Sequence, residues 1–281
     1  EEVILGTGGG IRQAAELLDG KGPLIVCNSD SLTEIDIEAV LETHHNSGNL
    51  ATLVLVPHRP GYSIVEVDTQ GQVLSLAGKP QADPARVADG LIFTGFQIIE
   101  RAALQRLPAA GPSNIVSDLY HDLAAEGLLG SYLHEGFWWE FGSPELYLEG
   151  SLRLLDETPE RLHGISLQHD PVREINGAIA AVGAGAVVHP GARFRGRNAL
   201  GFASQVSEGA AVESCVIMPE AWVGPGCRLR QAVVAQGVEL PAGFEAEESM
   251  ICADPGPTVD LPPASRRDGG LLVYEMSQLA A

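Results

Sequence analysis

Val188-His-Pro-Gly-Ala-Arg-Phe194-Arg-Gly-Arg-Asn-Ala-Leu200-Gly-Phe-Ala-Ser-Gln-Val206-Ser-Glu-Gly-Ala-Ala-Val212 sets one large apolar residue at every sixth position, and Met218 continues the interval. Neither the roughly 3.6-residue period of a helix nor the two-residue period of a strand has that spacing. One apolar residue in six, followed by turns of Gly, Pro, Ala and Ser such as His189-Pro-Gly-Ala192, suits a parallel β-helix in which each short face contributes one inward side chain. Val238, Phe244 and Met250 repeat the interval in a second register. The phrases Val212-Glu-Ser-Cys-Val-Ile217, Leu229-Arg-Gln-Ala-Val-Val234 and Glu247-Glu-Ser-Met-Ile251 recur about one three-sided coil apart. The spacing predicts a left-handed parallel β-helix over residues 182–252, with Val188, Phe194, Leu200, Val206 and Val212 pointing inward.

Upstream the pattern is different. Residues 11–18 have helical spacing, and Pro23-Leu-Ile-Val-Cys-Asn28 is a continuous apolar run that suits a strand buried on both faces. An amphipathic helix follows near residues 35–44, with Ile37, Val40 and Leu41 inward, and residues 51–56 form a second buried strand. Residues 63–67 and 72–76 flank the turn Asp68-Thr-Gln-Gly71 as a hairpin, and residues 90–99 are another strand. This alternation predicts the α/β class, with a doubly wound, Rossmann-like sheet carrying an antiparallel addition. Ligands then bind beyond the carboxyl ends of its strands. The expected divisions are a first domain at 1–157, a linker at 158–181 rich in interrupting Pro, His and Asp, the β-helix at 182–252, and a carboxyl-terminal extension at 253–281.

With 281 residues, 45% of them hydrophobic, the chain can bury ample cores. Its formal net charge of −20 makes nucleic acid and membrane surfaces poor partners. An anionic substrate therefore needs a bound cation or locally placed Lys and Arg. Cys27, Cys215, Cys227 and Cys252 form no C-x-x-C pair and read as small hydrophobes in a reducing compartment. No apolar run approaches the roughly 18 residues of a membrane span, and Glu1-Glu2 is unlike a basic signal peptide, so the expected location is cytoplasmic.

Four pieces could carry chemistry. Leu5-Gly-Thr-Gly-Gly-Gly10 precedes a helix expected from Ile11, and its glycines allow close backbone approach to a ligand. Asp30 follows a strand directly, where a carboxylate can hold Mg2+ against phosphates; a capping or loop Asp is the plain alternative. Lys79, in Ala77-Gly-Lys-Pro80, offers a point charge for a phosphate. Gly136-Phe-Trp-Trp-Glu-Phe-Gly-Ser-Pro144 surrounds Glu140 with aromatics: a core strand ending in a turn, or a second carboxylate for the metal.

In this order, and followed by hexapeptide repeats, Gly-Thr-Gly-Gly, Asn-x-Asp-x-Leu-Thr, Lys-Pro and Trp-x-acid-x-Gly-Ser-Pro-Glu-x-Tyr resemble the sugar-1-phosphate nucleotidylyltransferases, and among them the mannose-1-phosphate guanylyltransferase-like members. The resemblance implies that Gly6, Thr7, Gly8 and Gly9 lie near the nucleotide, Asp30 and Glu140 hold Mg2+, Lys79 takes the sugar phosphate, and Ser63, Glu66, Thr94 and Gly95 line the sugar pocket. It also implies a nucleoside triphosphate and a sugar 1-phosphate as substrates and leaves open a homo-oligomer through the β-helix. Ser29, Ser63, Gly78 and Glu140 stand where the family usually has Gly, Gly, Glu and Asp, so a non-catalytic regulatory or scaffold relative is the alternative. The family's opening strand, Gly-rich loop with its Arg, and following Lys belong before Glu1. Without them the chain as written is expected to be a poor catalyst.

Overall fold

A computed structural model describes residues 3–156, 172–175 and 177–276. The chain divides into two compact units, Glu1–Trp138 and Trp139–Ala281.

In the first unit, helix α1 spans Gly6–Leu17, strand β1 Leu24–Val26, helix α2 Ile37–Ser47, and strands β2 to β6 span Ala51–Pro57, Ile64–Val67, Val73–Leu76, Asp89–Ile99 and Leu129–Leu133. They form one mixed sheet in the order β4-β3-β5-β2-β6, with β1 also paired to β5. Strand β2 is parallel to β6, while β5 runs antiparallel to β1, β2 and β3. The apolar run in β2 works as its composition requires: Leu53 and Leu55 pack on one side with Leu119 and Leu123, and Val54 packs on the other with Val40 of α2. Helices therefore cover both faces of the sheet, as a Rossmann-like fold demands. Asp36 caps α2 by accepting the Ala39 N–H at 3.1 Å, and Gly48 ends it in the left-handed conformation.

Three expectations change here. Helix α1 begins at Gly6 rather than Ile11, so the glycine run lies inside the helix. Strand β1 is covered unevenly, with Leu24 buried and Ile25 45% exposed, because among the described residues it pairs only with β5. Ile37 is 44% exposed, leaving Val40 as the buried anchor of α2.

The second unit is a three-sided parallel β-helix. Its inward columns are Val188, Val206, Val223 and Leu240; Phe194, Val212, Leu229 and Ala246; and Val182, Leu200, Ile217, Val234 and Ile251. Corner residues Gly185, Ala203, Glu220 and Gly237 share the left-handed conformation. Their numbers give a coil of 18 residues (203 − 185) followed by coils of 17 (220 − 203 and 237 − 220). Dropping one residue per coil shifts the six-residue count, so Ile217 rather than Met218 points inward; the stacked columns continue with Leu240, Ala246 and Ile251, and Val238 and Phe244 are buried in the same core beside them.

Helix α3, Pro144–Arg153, begins at the Ser143 cap and lays Leu148 on the outer column Val216 and Val233, with Met276 beside them. That apolar contact ties α3 to the β-helix unit. Of the expected linker, residues 158–171 and 176 lie outside the described residues, but Val172–Ile175 and Ala178–Val182 are already paired strands. Of the expected extension, residues 277–281 lie outside the description, while Ser265–Asp268 and Leu271–Glu275 form a hairpin that adds antiparallel to the last coil. Leu271 and Val273 thereby close the core. Cys215 and Cys227 are buried, as read, but Cys27 is exposed. Burial pushes the Cys215 thiol up to about 12.

Candidate functional site

The site begins with a gap along one edge of β5. Strand β1 pairs with the end of β5, Val26 opposite Gln97, and β3 pairs with its beginning, Ile64 opposite Ile92. Residues 93–96 between them have no strand partner on that edge among the described residues. Past its carboxyl end β1 delivers Asn28, Ser29 and Asp30 to this notch, and ahead of its amino end β3 delivers Tyr62 and Ser63.

Across the same residues, on the other edge, the register of β5 against β2 slips between Leu53 and Leu55. Thr94 stabilises the bulge, donating its hydroxyl to Val54 O at 2.8 Å and accepting the Phe96 N–H at 3.1 Å. Gly95 has φ +80°, a left-handed value that strains any residue with a Cβ. A Cβ there would also lie 2.5 Å from Asn28 Cγ. Conformation and close approach therefore both require glycine.

Aromatic groups brace the bulge. Trp138 donates its indole N–H to Thr94 O at 3.2 Å, meets Tyr62 edge to face at 5.9 Å, and lies 5.0 Å beneath the Arg59 guanidinium. Phe93 packs edge-on against Tyr120, whose hydroxyl donates to Gln97. The loop after Asp30 is tied down as well: Thr33 donates to Phe137 O at 3.0 Å, and the Phe137 N–H donates to Glu34 at 2.8 Å.

Lys79 reaches the same end of the sheet through a tight turn. Ala77 and Gly78 both have positive φ, the signature of a type I′ turn, with Leu76 and Lys79 exchanging backbone hydrogen bonds. The Ala77 N–H donates to Ile64 O at 2.8 Å, which places the turn beside Ser63. The Lys79 side chain is exposed and has no ion-pair or hydrogen-bond partner among the described residues.

The structure thus sets Asp30, Ser63, Lys79, Thr94 and Gly95 around the gap along the edge of β5. Glu66 lies farther along β3, opposite Gly90, and accepts the Ser75 hydroxyl. Gly8 and Gly9 are buried against another loop: both amides donate to Ser113 O, and a Cβ on Gly8 would stand 3.2 Å from Ile115 N. Thr7 accepts the Ile115 N–H, and only Gly6 and Thr7 of the four are exposed. Glu140 belongs to the second unit, where it ends the strand Trp138–Glu140. Asn28, Tyr62, Arg59 and Trp138 were given no role from the sequence, although Asn28 opens the motif Asn-x-Asp-x-Leu-Thr and Trp138 the motif Trp-x-acid-x-Gly-Ser-Pro.

An α/β domain with a gap along the edge of β5 is thus followed in the chain by a hexapeptide β-helix. Residues 1–157 match the nucleotidyl transferase family, and residues 168–250 match the GlmU-like C-terminal hexapeptide family. The chain belongs to the nucleotidyl transferase family. It is similar to the mannose-1-phosphate guanylyltransferase of Mycobacterium tuberculosis, 29% identical over 258 residues, which cover 88% of this chain and 61% of that one. It is also similar to mannose-1-phosphate guanyltransferase beta-B of Xenopus laevis, 30% identical over 172 residues, 58% of this chain and 46% of the relative. Mannose-1-phosphate guanylyltransferase 1 of Arabidopsis thaliana is 27% identical over 260 residues, covering 88% and 63%. The chain spans about half to two thirds of the length of these relatives. No helix among the described residues is long and apolar enough to cross a membrane.

Proposed function

We propose that the chain carries a sugar-1-phosphate nucleotidylyltransferase site, which joins a nucleoside triphosphate to a sugar 1-phosphate and releases pyrophosphate. The convergence of Asp30, Ser63, Lys79 and the Thr94–Gly95 bulge on one notch carries this reading. The names of the similar proteins favour GTP and mannose 1-phosphate.

The donor chemistry fits a divalent cation. Asp30 is exposed and has no hydrogen-bond or ion-pair partner among the described residues. No group of three or more His, Cys, Asp or Glu side chains that could hold a metal occurs among them. Mg2+ suits such a site, because it is usually held by one or two carboxylates together with substrate phosphates. When bound, it neutralises phosphate charge and aligns the α-phosphorus. The resemblance assigns Glu140 to the same ion, and the metal dependence of Glu140→Gln decides that assignment.

The protein's own part is positioning. Lys79 holds the sugar phosphate so that one of its oxygens faces the α-phosphorus in line with the departing pyrophosphate. Gly95 lets the backbone approach the sugar, and Ser63 and Thr94 border the same space. Glu66 sits farther along the pocket wall, and Gly6 and Thr7 are the open part of the nucleotide-side loop. The acidic charge favours a cytoplasmic protein acting on small molecules, with oligomerisation through the β-helix open.

Pyrophosphate release is the direct test, measured over a panel of triphosphates and sugar 1-phosphates. Release that needs Mg2+ and both substrates is expected, fastest with GTP and mannose 1-phosphate. Sugar-phosphate binding that depends on Lys79, with no release from any pair, would instead identify a non-catalytic relative.

A further inference from the structure

One face of the β-helix carries two outward columns, in register from coil to coil. The first is Arg193, Ala211, Arg228, Glu245, and the second is Arg195, Glu213, Arg230, Glu247. Phe194, Val212, Leu229 and Ala246 alternate with them and point into the core. In the second column charge alternates at every step, with Glu213 between two arginines and Arg230 paired to Glu247. The first column breaks this pattern. Between Arg193 and Arg228, where alternation would put a carboxylate, stands the methyl group of Ala211.

The Arg193 side chain is exposed and has no ion-pair or hydrogen-bond partner among the described residues. Arg228 bonds Glu245 through Nη1 at 2.7 Å, which leaves its remaining N–H groups free. Two coils apart, the Cα atoms of these arginines are about 9.6 Å from each other, so their side chains can fold over Ala211 from both sides. The two columns line a concavity of about 630 Å3. Guanidinium forks match phosphate oxygens in bidentate geometry.

We propose that the space over Ala211, between Arg193 and Arg228, binds a phosphate dianion, either free or as the terminal group of a small phosphomonoester, which takes the place of the missing carboxylate. A protein partner fits this face poorly. Four rungs of three residues make a face on the order of 200 Å2, against the roughly 800 Å2 that each partner of a stable complex buries.

The test follows the arginine Nε–H signals of the 15N-arginine-labelled protein at low ionic strength, titrated with inorganic phosphate and, separately, with glycerol 1-phosphate. The signals of Arg193 and Arg228 should shift saturably with at least one of them. Ala211→Glu supplies the carboxylate internally and should weaken binding at least tenfold, as should Arg193→Gln. Lys79→Gln, in the other unit, should leave the shifts intact. If Ala211→Glu fails to fold, Arg193→Gln decides, since it changes only an exposed side chain. Saturable shifts that survive both β-helix variants, shifts that disappear with Lys79→Gln, or Arg193 and Arg228 signals that do not move with either anion would overturn the site.

Discussion

The amide group of Asn28 occupies the space into which a Cβ on Gly95 would project, with its Nδ2 2.4 Å from that point. Strand β1 and the bulge in β5 are thereby locked together at the notch, and a methyl group at residue 95 must push them apart. Gly95→Ala should cost roughly 1–3 kcal/mol for the left-handed backbone alone, and more for the clash. Adding Asn28→Ala should recover the clash but not the backbone cost. Denaturant melts of the single and double variants check this. Equal stability of Gly95→Ala and parent would show that the bulge relaxes freely.

The Lys79 side chain has no partner among the described residues, so replacing it should remove a charge-assisted contact to substrate worth roughly 1.5–3 kcal/mol. Lys79→Gln should raise the KM for the sugar phosphate about 10- to 100-fold, with melting unchanged because the side chain is exposed. Lys79→Arg should recover part of the loss. A KM that does not respond to either variant would remove Lys79 from the substrate contacts.

Val206 is 2% exposed and stacks between Val188 and Val223 inside the β-helix. Val206→Asp buries an unpaired charge and should cost several kcal/mol. Thermal unfolding of the whole chain should show the second unit losing most of that stability. An unchanged melt would mean that this column does not face the core.

His44 links stability to pH. Its Nδ1 lies 2.8 Å from Thr52 Oγ1 and its Nε2 3.3 Å from Glu100. Burial, the largest influence, lowers its pKa below 6.5, and Glu100 opposes this only in part. The unfolded chain therefore binds this proton more readily than the folded one. The contribution of His44 is present above pH 6.5 and is lost as pH falls through the lowered folded value. Denaturation midpoints measured from pH 8 down to pH 5 should fall, and the fall should be shallower in His44→Gln. The same slope in both proteins would assign the pH dependence to other groups.

Much of the architecture was legible because it rests on local periodicity. The six-residue interval marked the β-helix, and the unbroken apolar run of β2 marked a strand covered on both faces. The count failed where coils shortened from 18 to 17 residues, since dropping one corner residue does not change local composition. Among the candidate residues, Asp30 was legible as a carboxylate just past an apolar strand. Lys79 was legible as a lysine beyond a hairpin.

The sequence by itself determined the β-helix, the buried strand β2 and the hairpin of β3 and β4, because those follow from the spacing of apolar side chains and from turn residues; strand β6 and the hairpin over residues 265–275 were not legible in it. Only the tertiary structure decided that β5 runs antiparallel and leaves residues 93–96 unpaired, that Gly8 and Gly9 approach Ser113, and that α3 belongs with the β-helix. Each of these depends on contacts between residues distant in the chain, such as Asn28 with Gly95 or Leu148 with Val233, and no local pattern encodes which distant surfaces will meet.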